Sequence, residues 1–174
     1  GTAHYQMLPQ MLMIWKVLVS QLNVRCILLT KQSLKHDSSI NSLISSVPGI
    51  ISLSVNREEI PLYLAAADIG LFSLSKEHTA HNFPGKILGY MGASLPILGS
   101  VNAGNDLLPL VNEAGAGCVY VNGEDDLLAE AALKLLESET LRVSLGARAN
   151  SLLVEEFSVE SAAMGIMSKV NREI

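Results

Sequence analysis

Apolar residues three and four positions apart run through Leu8, Met11, Leu12, Trp15, Leu18, Val19 and Leu22. That period predicts an amphipathic helix over residues 7–22. The pattern then changes: residues 24–30, Val-Arg-Cys-Ile-Leu-Leu-Thr, are mostly apolar and bounded by polar residues, as in a buried strand. Asp37-Ser38-Ser39 offers a cap for a helix to about Ser46, and Pro48-Gly49 turns the chain into a strand at 50–54. Asn56 is placed to cap a helix over 57–67, with Glu58 and Glu59 in the first turn, where the helix dipole favours acids. A strand at 68–73 follows, and after a polar loop a helix opens near Lys86.

The remaining pattern repeats the theme. A strand is predicted at 96–99, a loop at 100–106, and a helix from about Asp106 to Ala114 that Gly115 ends. Residues 117–121 read as a strand. Gly123-Glu124-Asp125-Asp126 starts a helix to about Glu137, and two more span about 139–155 and 159–172, with Ser138 and Ser158 where caps belong. Strand and helix alternate about six times, without internal repeat or linker. The expected fold is α/β: one Rossmann-like, doubly wound domain over 1–174, a parallel sheet of about six strands with helices on both faces.

With 174 residues, 49% of them hydrophobic and 17% charged, the chain can bury a sizeable core, and disorder is excluded. The net charge of −5 argues against general nucleic-acid binding, although a local positive pocket fits an acidic protein. Cys26 and Cys118 fall in predicted buried strands at a spacing that suits neither a metal nor a redox pair. They read as inert, reduced core thiols, consistent with a cytoplasmic protein. No apolar run reaches the roughly 18 residues of a membrane span; the nearest is broken by Lys16. The chain begins Gly1-Thr2, and helical signals start almost at once, as in an excised domain whose first strand was cut away or lies just upstream.

The chemistry concentrates at His81-Asn82-Phe83-Pro84-Gly85-Lys86. In doubly wound sheets ligands bind beyond the carboxyl ends of the strands. A loop leaving such an end and opening a helix presents unpaired N–H groups, a positive dipole end and here the Lys86 ammonium, which together suit a diphosphate. The plainer reading makes Lys86 a solvated first-turn lysine. It has to accept a cation where the dipole disfavours one, by about 0.3–1 kcal/mol. Asn82 is either the helix N-cap or a ligand contact, and His81 either faces a ligand or is a loop histidine in water. His78 and His4 are weaker candidates of the same kind. Gly104, Asn105 and Asp106 follow the next strand; they either approach a ligand or form a turn and helix cap. At Gly1-Thr2 the glycine lets backbone near a phosphate, and the rival reading is a remnant of cloning. The stripe of helix 7–22 suits a core or interdomain face, with a membrane-surface role as the rival.

Residues 57–73, Phe83-Pro84 through Met91 to Ile97, Ala116 to Ala129, and Glu155-Glu156-Phe157-Ser158-Val159-Glu160 stand in an order that resembles the C-terminal half of a GT-B glycosyltransferase of family 4, the glycosyl transferases group 1. The likeness covers essentially residues 50–165, and 1–50 more weakly. Family members often carry two glutamates around the Phe-Pro pair, at positions that here hold His81 and Gly89. The family's Arg and Lys for the diphosphate would fall near Thr2 and Met7 and are also missing. The chain is similar instead to a subgroup with Phe-Pro-Ser-Lys, Gly85 replacing serine, in which Lys86 is the remaining cation.

The resemblance implies a nucleotide-sugar donor, with UDP the expected nucleotide, bound by Gly1, Thr2, Val55, Asn56, His81, Asn82, Phe83, Pro84, Gly85, Lys86, Gly104, Asn105 and Asp106. It puts Val55 and Asn56 near the base, and it names no catalytic residue. Retention at the anomeric carbon is expected, with no metal and no cofactor beyond the substrate. The expected context is bacterial surface-polysaccharide synthesis on a glycan or lipid-linked acceptor, in the cytoplasm or at the inner face of the plasma membrane. The acceptor-binding N-terminal domain is expected as a partner absent from this chain, leaving the fragment inactive. The alternative is a non-catalytic α/β interaction module that has lost donor binding. A nucleotide-sugar epimerase wants carboxylates near the sugar, and this sequence offers no such set.

Overall fold

In the computed structural model, which describes residues 24–30, 42, 44–74 and 83–170, five strands form two parallel sheets. β1 (Cys26–Thr30) pairs with β2 (Ile50–Ser54), Cys26 beside Ile50. β3 (Gly70–Ser73), β4 (Ile97–Val101) and β5 (Gly117–Val121) pair in that order, with Gly70 beside Ile97 and Ile97 beside Gly117. The predicted helix over 7–22 and most of the one capped at Asp37 lie outside the described residues; residues 44–45, at the latter's end, are helical.

The helices follow from their caps and breakers. After β2 the chain makes a 3-10 turn at Arg57–Glu59 and then α1 (Ile60–Ala65), rather than one helix over 57–67. Pro61 explains the division: it has no N–H and crowds the preceding turn, so it fits only the first turn of a helix that begins beside it. α2 is Lys86–Gly92, α3 Leu107–Glu113, α4 Asp125–Glu137, α5 Glu139–Phe157 and α6 Val159–Val170. The Ser138 hydroxyl accepts the Leu141 N–H at 3.2 Å and the Ser158 hydroxyl that of Ser161 at 3.0 Å, each opening a helix as expected. Gly115 ends α3 at a φ of 64°, a left-handed position that costs glycine little.

Alternation along the three-stranded sheet sorts its side chains onto two faces. Phe72, Ile97, Val101 and Val119 meet Ile87 and Met91 of α2, Leu107 and Val111 of α3, and Ala149 and Leu152 of α5. On the other face Leu98, with Leu71 and Cys118, meets Leu128, Ala131, Ala132 and Leu135 of α4. Val24, Cys26 and Ile50 join this second cluster. Both cysteines are free and only half-buried, a correction to the expectation of core thiols. Burial still pushes the Cys26 thiol up to about 11 and raises that of Cys118, which keeps both protonated.

β4 also differs from expectation. It runs on through Ser100 and Val101 instead of stopping at Gly99. Polar Ser100 can be buried there because its hydroxyl pairs with that of Ser73 at 2.7 Å, while its carbonyl accepts the Leu74 N–H at 2.9 Å. The outer side of β5 is closed by side chains. Asn112 of α3 both donates to and accepts from the Val119 backbone at 2.8 Å, and the Glu124 carboxylate accepts the Val121 N–H at 2.8 Å.

α5 lies so close to the turn before β4 that a Cβ on Gly146 would run into the Ser94 carbonyl. Ser94 itself holds a left-handed φ of 54°. Gly146→Ala is therefore expected to destabilise the fold by about 1–3 kcal/mol and lower Tm by several degrees. A thermal melt followed by circular dichroism measures this, and an unchanged Tm would mean the turn yields freely.

Candidate functional site

All three strands of the larger sheet run the same way, so their carboxyl ends open on one rim. β3 ends at Ser73, and Leu74 is still tied to β4 through Ser100. Residues 75–82 lie outside the described residues, and with them His78, His81 and Asn82; Gly1, Thr2 and His4 do too. The chain re-enters at Phe83, whose half-buried ring packs on that of Phe157 of α5, centroids 5.0 Å apart and planes at 45°. The Pro84 carbonyl accepts the Ile87 N–H at 2.9 Å and so starts α2.

Gly85 sits at the helix entrance with a φ of −56°, a conformation open to any residue. A Cβ there would meet nothing within 4 Å, so open space lies beside the backbone and a serine would fit equally well. Lys86 follows in the first turn of α2, near N–H groups that have no intrahelical acceptor. It keeps an exposed surface, yet the protein packed around its ammonium lowers its pKa below that of an ordinary lysine by desolvation. Positive dipole end, amides and cation thus coincide at one short turn. Behind it Tyr90 donates its hydroxyl to the Leu71 carbonyl at 2.8 Å, and burial pushes that phenol up to about 12.

The next rim loop follows β4. Gly104 turns there with a φ of 79° and open space where a side chain would stand. Asn105 is buried, and its Oδ1 accepts the Leu107 N–H at 2.9 Å; of the two readings the sequence left open, this oxygen serves the turn that leads into α3. Asp106 is exposed beside it. The structure therefore brings Phe83, Pro84, Gly85 and Lys86 to the carboxyl side of β3, and Gly104, Asn105 and Asp106 to that of its neighbour β4. Val55 and Asn56 follow β2 of the smaller sheet, and there the Glu59 carboxylate accepts the Asn56 N–H at 2.8 Å.

Sequence reasoning missed four polar residues on this rim: Ser73, Ser100, Asn102 and Asn122. Two serines and two asparagines near strand ends look like ordinary turn residues, and the available signal was only their recurrence at successive strand ends. Among the described residues no three His, Cys, Asp or Glu side chains group as a metal site needs. No helix among them is long and apolar enough to cross a membrane.

Comparison with known proteins bears on this arrangement. The fold matches the crystal structure of WaaG, a glycosyltransferase involved in lipopolysaccharide biosynthesis, with a TM-score of 0.66 at 18% identity, over 91% of this chain and 41% of that one. It also matches HepE (Alr3699) of Anabaena, solved in complex with UDP, with a TM-score of 0.67 at 18% identity, over 99% of this chain and 46% of that one. The chain thus spans less than half the length of either. No curated protein matches the sequence. The profile of the family Glycosyl transferases group 1 matches residues 6–138, and the chain belongs to that family.

Proposed function

We propose that the chain is the donor-binding half of a glycosyltransferase that takes a sugar from a nucleoside diphosphate, UDP in the first instance. The observation that carries this reading is the turn at Pro84–Lys86. There a cation, first-turn amides and open space beside Gly85 meet on the carboxyl rim of a parallel sheet in a group 1 glycosyltransferase. The UDP held by the HepE structure supports the choice of nucleotide. The lipopolysaccharide role of WaaG supports a glycan or lipid-linked acceptor in bacterial surface-polysaccharide synthesis.

Transfer breaks the bond between the anomeric carbon and a phosphate oxygen, and the electron pair leaves with the diphosphate. The acceptor oxygen bonds to that carbon and passes its proton to the departing diphosphate oxygen, with retention of configuration as the proposed outcome. What a protein supplies is fixed positive potential where the leaving group gathers charge. Lys86 and the N–H groups of Gly85 and Lys86 take that role, and no metal is invoked. His81 and Asn82 on the preceding loop, Gly104 and Asp106 on the neighbouring one, and Val55, Asn56, Gly1 and Thr2 complete the proposed contacts. Asn105 contributes chiefly by holding α3 in place. A separate acceptor-binding domain completes the reaction, in the cytoplasm or at the inner face of the plasma membrane, and this half alone is expected to transfer nothing. The exposed Val159, Met164 and Met167 of α6 are consistent with a further domain covering that helix.

A second reading, an interaction module that has lost donor binding, is favoured by Gly89, which leaves the helix facing the rim without a carboxylate. Titration calorimetry separates the two. UDP is expected to bind weakly, and Lys86→Ala to cost about tenfold in affinity, equivalent to about 1.4 kcal/mol. If neither UDP, GDP nor their sugars give detectable heat, the donor reading fails. If Lys86→Ala binds like the parent chain, the cradle is elsewhere.

The lowered pKa of Lys86 sets a pH dependence. Folding disfavours the charged form of this lysine, so its cost to the free protein is present at neutral pH and fades as pH rises through the lowered folded-state value. A bound diphosphate does the reverse and raises that value. UDP binding in the alkaline range is therefore expected to take up a proton and to weaken as pH approaches the ordinary lysine value. Calorimetry in two buffers of different ionisation enthalpy reads the proton directly, and a buffer-independent heat would remove Lys86 from the contact.

A further inference from the structure

Asn122 lies just past β5, where its backbone N–H donates to the Val101 carbonyl at 2.8 Å. Its side-chain Nδ2 donates twice more, to the Leu74 carbonyl at 3.0 Å and to Asn102 Oδ1 at 2.7 Å. One carboxamide therefore joins the segments leaving β3, β4 and β5. The partners lie 48 and 20 residues away in sequence, so no local propensity could have gathered them.

The position of these bonds matters more than their number. Leu74 is the last described residue before the loop that returns at Phe83 and delivers Lys86. Asn102 opens the loop that carries Gly104 and Asp106. Two of the loops assigned to the donor leave the sheet from atoms that Asn122 grips. Below them the hydroxyls of Ser73 and Ser100 pair at 2.7 Å, tying the same two strands one residue earlier.

We propose that Asn122 is a positioning residue of the donor site, fixing the exits of the β3 and β4 loops against each other without touching the ligand. This inference rests on the donor-binding reading. Asn112 provides the control. It also gives its carboxamide to strand backbone, through two bonds to Val119, but on the outer side of β5 and away from the rim. Both asparagines are structural in the ordinary sense, and only one lies between two ligand loops.

The test compares Asn122→Ala with Asn112→Ala in the same chain. Both are expected to lower Tm. Asn122→Ala is expected to weaken UDP by about tenfold through misplaced loops, the scale of one or two lost part-buried hydrogen bonds. Asn112→Ala is expected to stay within about twofold, as a distant and independent site. Amide exchange is read alongside: in Asn122→Ala alone, the Leu74 N–H and residues 101–106 should exchange faster than in the parent. Equal UDP affinity in Asn122→Ala and the parent would overturn the proposal, as would an equal loss in Asn112→Ala. A parent chain that binds no UDP defeats the donor reading instead. Exchange then still decides the tie, and unchanged protection at Leu74 would overturn it.

Discussion

The structure depends on one constraint: a parallel sheet buried on both faces has to send every strand's carboxyl end to the same rim. Alternating side chains on β3, β4 and β5 serve two separate apolar clusters, one under α2, α3 and α5 and the other under α4. Neither face is left for polar chemistry. What is left for polar groups is the rim, where helices present their amino ends. The Pro84–Lys86 turn and the loop through Gly104 follow adjacent strands, because β3 pairs with β4.

That rim is polar in a particular way. Serines and asparagines dominate it, and most bind one another or the backbone. Ser73 pairs with Ser100, Asn122 with Asn102 and Leu74, and Asn105 with the amide of Leu107. Lys86 is the cation at this turn, held in surroundings that already disfavour its charge in the absence of a counter-ion.

Much of the fold was legible in the sequence because punctuation is local. Gly115, Ser138 and Ser158 mark helix ends by their own chemistry, and the strand Gly117–Val121 was bounded by glycine and a polar turn. Where neighbours along the chain compete with partners across the sheet, the reading failed. Ser100 looked like the start of a loop, yet a hydroxyl 27 residues away made it part of β4. Pro61 was passed over inside an otherwise helical pattern, though its missing N–H forces the helix to begin beside it. The site followed the same division. Phe83 to Lys86 stood out as a loop opening a helix, whereas the Phe83–Phe157 ring pair and the Asn122 tie carry no local signal at all.

The outer margin of β5 has a consequence of its own. A bare strand margin is a template on which other chains can add strands and polymerise. Here the carboxamide of Asn112 imitates a neighbouring peptide group against Val119, and Glu124 occupies the amide of Val121 with a negative charge. An incoming strand would have to displace both before pairing with Val119 or the Val121 amide. Two side chains thereby make that side of the protein a poor seed for fibres.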